Sequence, residues 1–265
     1  MAELSTKLYR IRTKYVSDVS SVEEFVDSVA PVIERSVSRA EKIAQSFSAK
    51  DRAAAHKLVS LVESGHNGKV PKTFVLEPHE FSRKFERWLF GSLKPIKHES
   101  LFGAMVLTQL VSFQEAFLKD YLREVLSSRT EMLRSKKQIT HEEICSHASL
   151  ASLFQAIASS EVEELGRGSI DDFAMAYDKR LNVLFSDFTG WNELREASYR
   201  RNIVIHNQSR TNEIYCARTG HATRGQILRT DVRYVRRLAR LTKQFVEFVH
   251  RKISRKFRIQ GPTRR

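Results

Sequence analysis

Within the run Tyr199-Arg200-Arg201-Asn202-Ile203-Val204-Ile205-His206-Asn207, three groups of complementary chemistry fall close together: Arg201, Asn202 and His206. An imidazole such as that of His206 both takes and gives a proton near neutral pH. The forked N–H donors of a guanidinium such as that of Arg201 suit an anionic oxygen. At about 3.6 residues per turn, Asn202 and His206 share one helix face, and Arg201 lies about 140° round from His206, within reach of its long side chain. Proton transfer beside an anion clamp is the chemistry this trio would do. A plainer reading stays open on the same spacing, in which Arg201 pairs with a carboxylate and His206 caps the helix C-terminus. Ile203, Val204 and Ile205 would hold the helix in a core, so packing decides where the polar groups sit.

The elements that must position these groups read as helices throughout. Ser21 with Glu24 makes a capping box that opens a helix over about 22–47, after a polar and poorly periodic stretch 1–20. Ser48 with Asp51 opens a second helix through Leu61 that ends at Gly65-His66-Asn67-Gly68, so the two predict a helical hairpin. Gly91 and Pro95 mark a boundary near residue 94. From His98 to Ser128, Leu101, Met105, Leu110, Phe113, Phe117, Tyr121 and Val125 recur at helical spacing and predict a long central helix. Thr140 with Glu143 starts a helix through Cys145, and another runs over 150–164. Residues 170–185 read as mixed, 191–206 as helix, 207–230 as a polar loop and 231–257 as a long closing helix. No internal repeat is evident. The fold class is therefore all-α, with 1–94 an N-terminal helical region of unknown role and 95–265 a helical bundle.

The chain has 265 residues, with 41% hydrophobic, 29% charged, 10 Gly and 5 Pro, which excludes disordered, collagenous and all-β classes. The apolar stretch Leu101–Phe113 falls short of the ~20 residues of a membrane span. No apolar signal core precedes the first charges, and two cysteines cannot build a disulfide framework, so a reducing, cytoplasmic setting and no membrane are expected. The net charge of +14 is unevenly placed: residues 200–265 hold 18 Lys+Arg against 3 Asp+Glu, and the rest of the chain is close to neutral. Such asymmetry points to a polyanionic partner such as nucleic acid, or else to a solvated basic face. On the last helix, Val235, Leu238, Phe245, Val249 and Ile253 form an apolar stripe. Arg233, Arg236, Arg237, Arg240 and Lys243 form a basic side expected to face outward, and Arg210, Arg218, Arg224 and Arg229 add charge from the loop.

Other groupings carry less chemistry. His141 and Cys145 lie one turn apart, but His141-Glu142-Glu143-Ile144-Cys145 is not a His-Glu-x-x-His zinc motif, and no metal site is expected. Gly65-His66-Asn67-Gly68-Lys69 lacks the spacing of a phosphate loop and reads as a turn. Asp171 and Asp172 read as helix-capping groups rather than a paired acid and base.

The Arg, polar residue, spacer, His arrangement of Arg201, Asn202 and His206, followed by Asn207, resembles the catalytic signature of the HEPN superfamily. Gln114-Glu115-Ala116-Phe117 on the long apolar helix, Asn192-Glu193-Leu194-Arg195-Glu196 before the motif, Tyr215 in the loop and Gly225 before the last helix extend the resemblance over roughly 95–257. It has no counterpart for 1–94. The resemblance implies a HEPN-like four- or five-helix bundle, here with an N-terminal helical hairpin. It also implies a homodimer that brings two Arg/His pairs to one cleft and, in active members, metal-independent cleavage of RNA without a cofactor. His206 would be the general base on the 2′-hydroxyl, Arg201 the phosphate clamp and Asn202 an orienting group, leaving a cyclic phosphate, with Glu193 or Glu196 tuning the site. Arg200, Arg210, Arg233, Arg236, Arg237 and Arg240 are the expected RNA-binding residues. The expected role is a toxin or antiviral defence effector, partnered by an antitoxin or other regulatory protein. The alternative is a non-catalytic RNA- or nucleotide-binding module acting as a regulatory partner.

Overall fold

The computed structural model describes residues 2–49, 53, 91, 94–133 and 138–258. Among them eight α-helices follow in chain order: α1 (Ala2–Gln45), α2 (Lys94–Ser128), α3 (His141–Cys145), α4 (Leu150–Leu165), α5 (Ile170–Leu181), α6 (Trp191–His206), α7 (Glu213–Thr219) and α8 (Val232–Lys256). Short 3-10 turns lie at Thr130–Met132 and Phe185–Asp187. The described residues contain no strand, only an isolated bridge between Arg210 and Ile227. The fold is all-α.

The first helix differs most from expectation. In place of a polar lead-in followed by the first arm of a hairpin, α1 is one helix of 44 residues that runs through Pro31. Its apolar positions explain this. Leu4, Leu8 and Ile11, then Tyr15, Val19 and Val22, then Val26, Ala30 and Ile33 repeat every eleven residues, and all of them lie in the core or pack against it. Eleven residues are close to three whole turns, so the stripe stays on one side of a nearly straight helix. The capping box expected at Ser21 and Glu24 therefore falls inside a helix, where Ser21 donates instead to the Ser17 carbonyl. Of the second arm expected to open at Ser48 and run through Leu61, only Ser48, Ala49 and Ala53 are described; the rest of it and the turn at 65–68 lie outside the described residues.

Central helix α2 packs against α1, α8, α4 and α6. Its buried face carries Leu107, Leu110, Phe117, Leu118, Tyr121, Leu122 and Val125. Leu101 and Met105, expected on that face, are exposed at 61% and 65%. By length and composition α2 could cross a membrane, contrary to the short apolar stretch read from sequence, yet it is packed inside the bundle. Gly103 is required by a close approach: a Cβ there would overlap the Thr230 carbonyl oxygen just before α8.

The basic side of α8 follows expectation only in part. Arg236 pairs with Asp27 at 2.8 Å and Glu34 at 3.5 Å, and Lys243 with Glu23 at 2.8 Å; Arg240 reaches the same Glu23 at 3.4 Å. Arg237 pairs with Glu193 of α6 at 2.6 Å. A bidentate Arg12–Glu247 pair, at 2.6 and 2.8 Å, continues the α1–α8 seam. Arg236 and Lys243 are half-buried against the acidic side chains that α1 lays along α8, whereas Arg233, Arg237 and Arg240 are exposed, as expected of an outward basic side. Arg233 is exposed and forms no ion pair among the described residues.

Residues 2–45 thus share the core of the rest of the described chain. Leu8 is fully buried within it. Leu8→Ala should cost about 2–5 kcal/mol of stability in urea unfolding, with a single transition. A second transition, with the remainder of the chain unaffected, would show α1 to be separable.

Candidate active site

Helix α6 is held at its start by aromatic packing and ends at an open cleft. Trp191, its first residue, stacks on Phe245 with ring centroids 5.9 Å apart and meets Phe185 edge-on at 5.0 Å. The helix ends at His206, as its sequence predicts. The Asn207 and Ser209 N–H groups both donate to the Ile203 carbonyl, at 2.9 and 3.0 Å, and the Asn207 side-chain amide donates to the Arg210 carbonyl at 2.6 Å. Gln208 and Ser209 adopt left-handed backbone, φ 50° and 62°, which non-glycine residues seldom take in succession. That reversal leaves His206 exposed at the helix end, its side chain without a hydrogen bond among the described residues.

Two half-buried carboxylates brace α6 from behind. Asp171, in the first turn of α5, accepts both guanidinium arms of Arg195, at 2.6 and 2.9 Å, and the Tyr199 hydroxyl at 2.8 Å. The Arg195 hydrogen bonds hold its carboxyl below the ordinary aspartate value, against the opposing effect of burial. Asp172 closes the α5 capping box with Ser169, so the expected capping role belongs to it, while Asp171 serves as a crosslink. Glu196 accepts from Arg200 at 2.7 Å, from Tyr234 at 2.7 Å and from Tyr215, joining α6, α7 and α8. Burial raises the hydroxyl pKa of both tyrosines well above the ordinary value, and Glu196 adds to it. Of the two glutamates expected to tune the site, Glu196 is this hub and Glu193 pairs outward with Arg237.

The cleft has a volume of about 510 Å³ and is lined by Arg201, Asn202 and His206 from α6, Glu115 from α2, the turn 166–170, and Ile214 and Tyr215 from α7. The three predicted groups do meet here. Arg201 donates through Nη2 to Glu115, the carboxylate partner that the plainer reading called for, while its Nε is buried without a partner. The pair ties α6 to α2 at the cleft wall and fixes the guanidinium. Such a volume lies in the range that takes a nucleotide-sized ligand. A smaller hollow of about 220 Å³, between Gln138 and Glu161, contains none of these groups.

None of the expected RNA-binding arginines lines the cleft. Arg200 lies behind it, half-buried, bonded to Glu196 and the Arg229 carbonyl and stacked on Tyr234. Arg210 is exposed on the loop bridge to Ile227. Sequence reading missed Arg167, Ser198 and Ile214 as lining residues. Gly166-Arg167-Gly168-Ser169 marks a turn between two helices in the sequence, but nothing local ties that turn to the motif. Cys145 Sγ sits 3.7 Å from His141 Nδ1, but among the described residues no three His, Cys, Asp or Glu side chains gather as metal ligands.

No protein-family model matches the sequence, and no curated protein or solved structure matches it either. The residues of the cleft therefore carry the functional reading.

Because the folded Asp171 carboxyl titrates below its ordinary value, its contribution is complete above that value and is lost as pH falls through the folded one. Asp171→Asn should lower stability by about 1–2 kcal/mol at neutral pH. Urea titrations should show the gap to the parent closing below about pH 4. A gap that persists at low pH would assign the effect to packing instead.

Proposed function

We propose that the chain is a HEPN-type endoribonuclease that cuts RNA without a metal ion. The observation that carries this reading is the meeting of Arg201, Asn202 and His206 at one open cleft, with the imidazole exposed and the guanidinium fixed by Glu115. His206 takes the proton of a 2′-hydroxyl, the 2′-oxygen attacks the adjacent phosphorus, and the bond to the 5′-oxygen breaks. The departing oxygen takes a proton from an imidazolium, and the products are a cyclic 2′,3′-phosphate end and a 5′-hydroxyl end. Arg201 stabilises the charge that builds on the phosphate, using donors that Glu115 leaves free. Asn202 orients the phosphate or the imidazole.

One imidazole cannot be base and acid at the same instant. A homodimer that brings a second Arg/His pair to the cleft supplies the other proton carrier. Uncontrolled cleavage of RNA would harm its host, which suits a toxin or defence effector held in check by an antitoxin-like regulatory protein.

The Arg201–Glu115 pair favours one rival, a module that binds RNA or nucleotide without cutting, since that guanidinium is already neutralised. Mixed RNAs incubated with the parent, His206→Ala and Arg201→Ala in excess EDTA decide between them. The expected result is cleavage by the parent alone, with either substitution costing at least about a hundredfold in rate. RNA binding with no cleavage by the parent would establish the rival. Cleavage that survives both substitutions would remove the site from these residues.

A further inference from the structure

The charge balance of the cleft turns on a residue outside the α6 motif. Its ionisable lining groups are Glu115, Arg167, Arg201, His206, Tyr199 and Tyr215. Glu115 and Arg201 neutralise each other, and both tyrosines stay protonated because burial raises them. The neighbouring arginines are also committed: Arg195 and Arg218 to Asp171, and Arg200 to Glu196. Arg167 is exposed and its side chain forms no ion pair or hydrogen bond among the described residues. Among those residues, the permanent net charge of the cleft is therefore the charge of Arg167.

The turn that carries Arg167 is held on both sides. The N–H groups of Gly166, Arg167 and Gly168 donate to the Val162, Glu164 and Leu165 carbonyls, at 2.9, 3.2 and 3.0 Å. Ser169 is fastened to Asp172 through its N–H at 2.6 Å and its hydroxyl at 2.8 Å. A Cβ at Gly166 would overlap the Lys119 side chain, and one at Gly168 would meet the Asp172 carboxylate at 2.5 Å, so the backbone packs close on either side of Arg167. A fixed backbone presents a flexible, unpaired guanidinium at the cleft wall, separate from the wall that holds Arg201.

We infer that Arg167 is a second phosphate-binding residue, which takes a phosphate of a single RNA strand next to the one held beside Arg201 and His206. The inference rests on the RNA-cleaving reading of the cleft and adds the source of its affinity. Arg201, compensated by Glu115, acts on the charge that develops during reaction. Arg167, uncompensated, draws in the ground-state strand and sets its register. A guanidinium binds phosphate through two parallel N–H donors, which lysine cannot reproduce.

The test is fluorescence anisotropy of the full chain with a short labelled 2′-O-methyl oligonucleotide, which has no attacking hydroxyl and stays intact. Arg167→Ala should weaken binding about tenfold and reduce the log Kd against log salt slope by about 0.7. Arg167→Lys should recover the slope but only part of the affinity. Arg10→Ala, an exposed arginine of α1 outside the cleft, should change neither, and all variants should melt as the parent does. A parent that binds and cuts RNA, with Arg167→Ala unchanged in affinity and slope, overturns this inference and leaves the RNA reading standing. An equal loss in Arg10→Ala overturns it as well, because the effect would then be general surface charge. A parent that binds no RNA overturns both together.

Discussion

Because α2 buries Phe117, Leu118 and Tyr121 in the core and carries Glu115 on the neighbouring part of its surface, one helix fixes both the packing and the cleft. Wherever that apolar face is buried, Glu115 is carried with it, and Arg201 follows through the ion pair. Tyr121 hydrogen-bonds His250 Nδ1 at 2.7 Å, which sets α8 in register beside α2, and Tyr15 reaches Asp120 at 2.7 Å, which does the same for α1. Burial lowers the affinity of His250 for a proton, so this core contact favours a neutral ring. The cleft is thus a rim of a packed bundle, and its groups are preorganised by contacts made well away from it.

The carboxylates around α6 divide into two kinds of work. Asp171 and Glu196 receive several donors each and lock α5, α7 and α8 around the helix that ends in His206. Glu115 faces the cleft and holds a guanidinium that must also meet substrate. Leaving Arg201 Nε buried without a partner is costly in a protein interior, and such a cost is often retained at sites where function needs the group. The same division splits the basic C-terminal segment, in which Arg210, Arg224, Arg229, Arg233, Arg251 and Arg255 stay exposed while other cations are paired. The paired cations are Arg218 with Asp171, Arg200 with Glu196, Arg237 with Glu193 and, across the seam, Arg236, Arg240 and Lys243 with Asp27, Glu34 and Glu23 of α1.

The parts of this arrangement legible in sequence are those set by local rules. Helix α6 ends at His206 as its pattern implies, α8 buries the stripe from Val235 to Ile253, and Thr140 caps α3 through Glu143. Helix α1 was hidden because its apolar positions keep an eleven-residue period with polar residues between, so no short window is strongly apolar. The ion pairs of α8 were hidden because their partners stand some two hundred residues away. Arg167 was hidden because a turn between two glycines gives no hint that helices bring it to the motif. Its partner-free state depends on which arginines the carboxylates claim, and only the packed chain decides that.

The claim that His206 and Arg201 drive attack by a 2′-hydroxyl is tested most directly on the substrate. An oligoribonucleotide that the protein cuts at a mapped position is compared with copies carrying a single 2′-deoxy nucleotide, and the new ends are identified by mass spectrometry. Deoxy substitution on the 5′ side of the scissile phosphate should abolish that cut while leaving others intact, and the remaining cuts should end in cyclic phosphate. Cleavage that continues at the deoxy position, or ends in a 5′-phosphate, would contradict it.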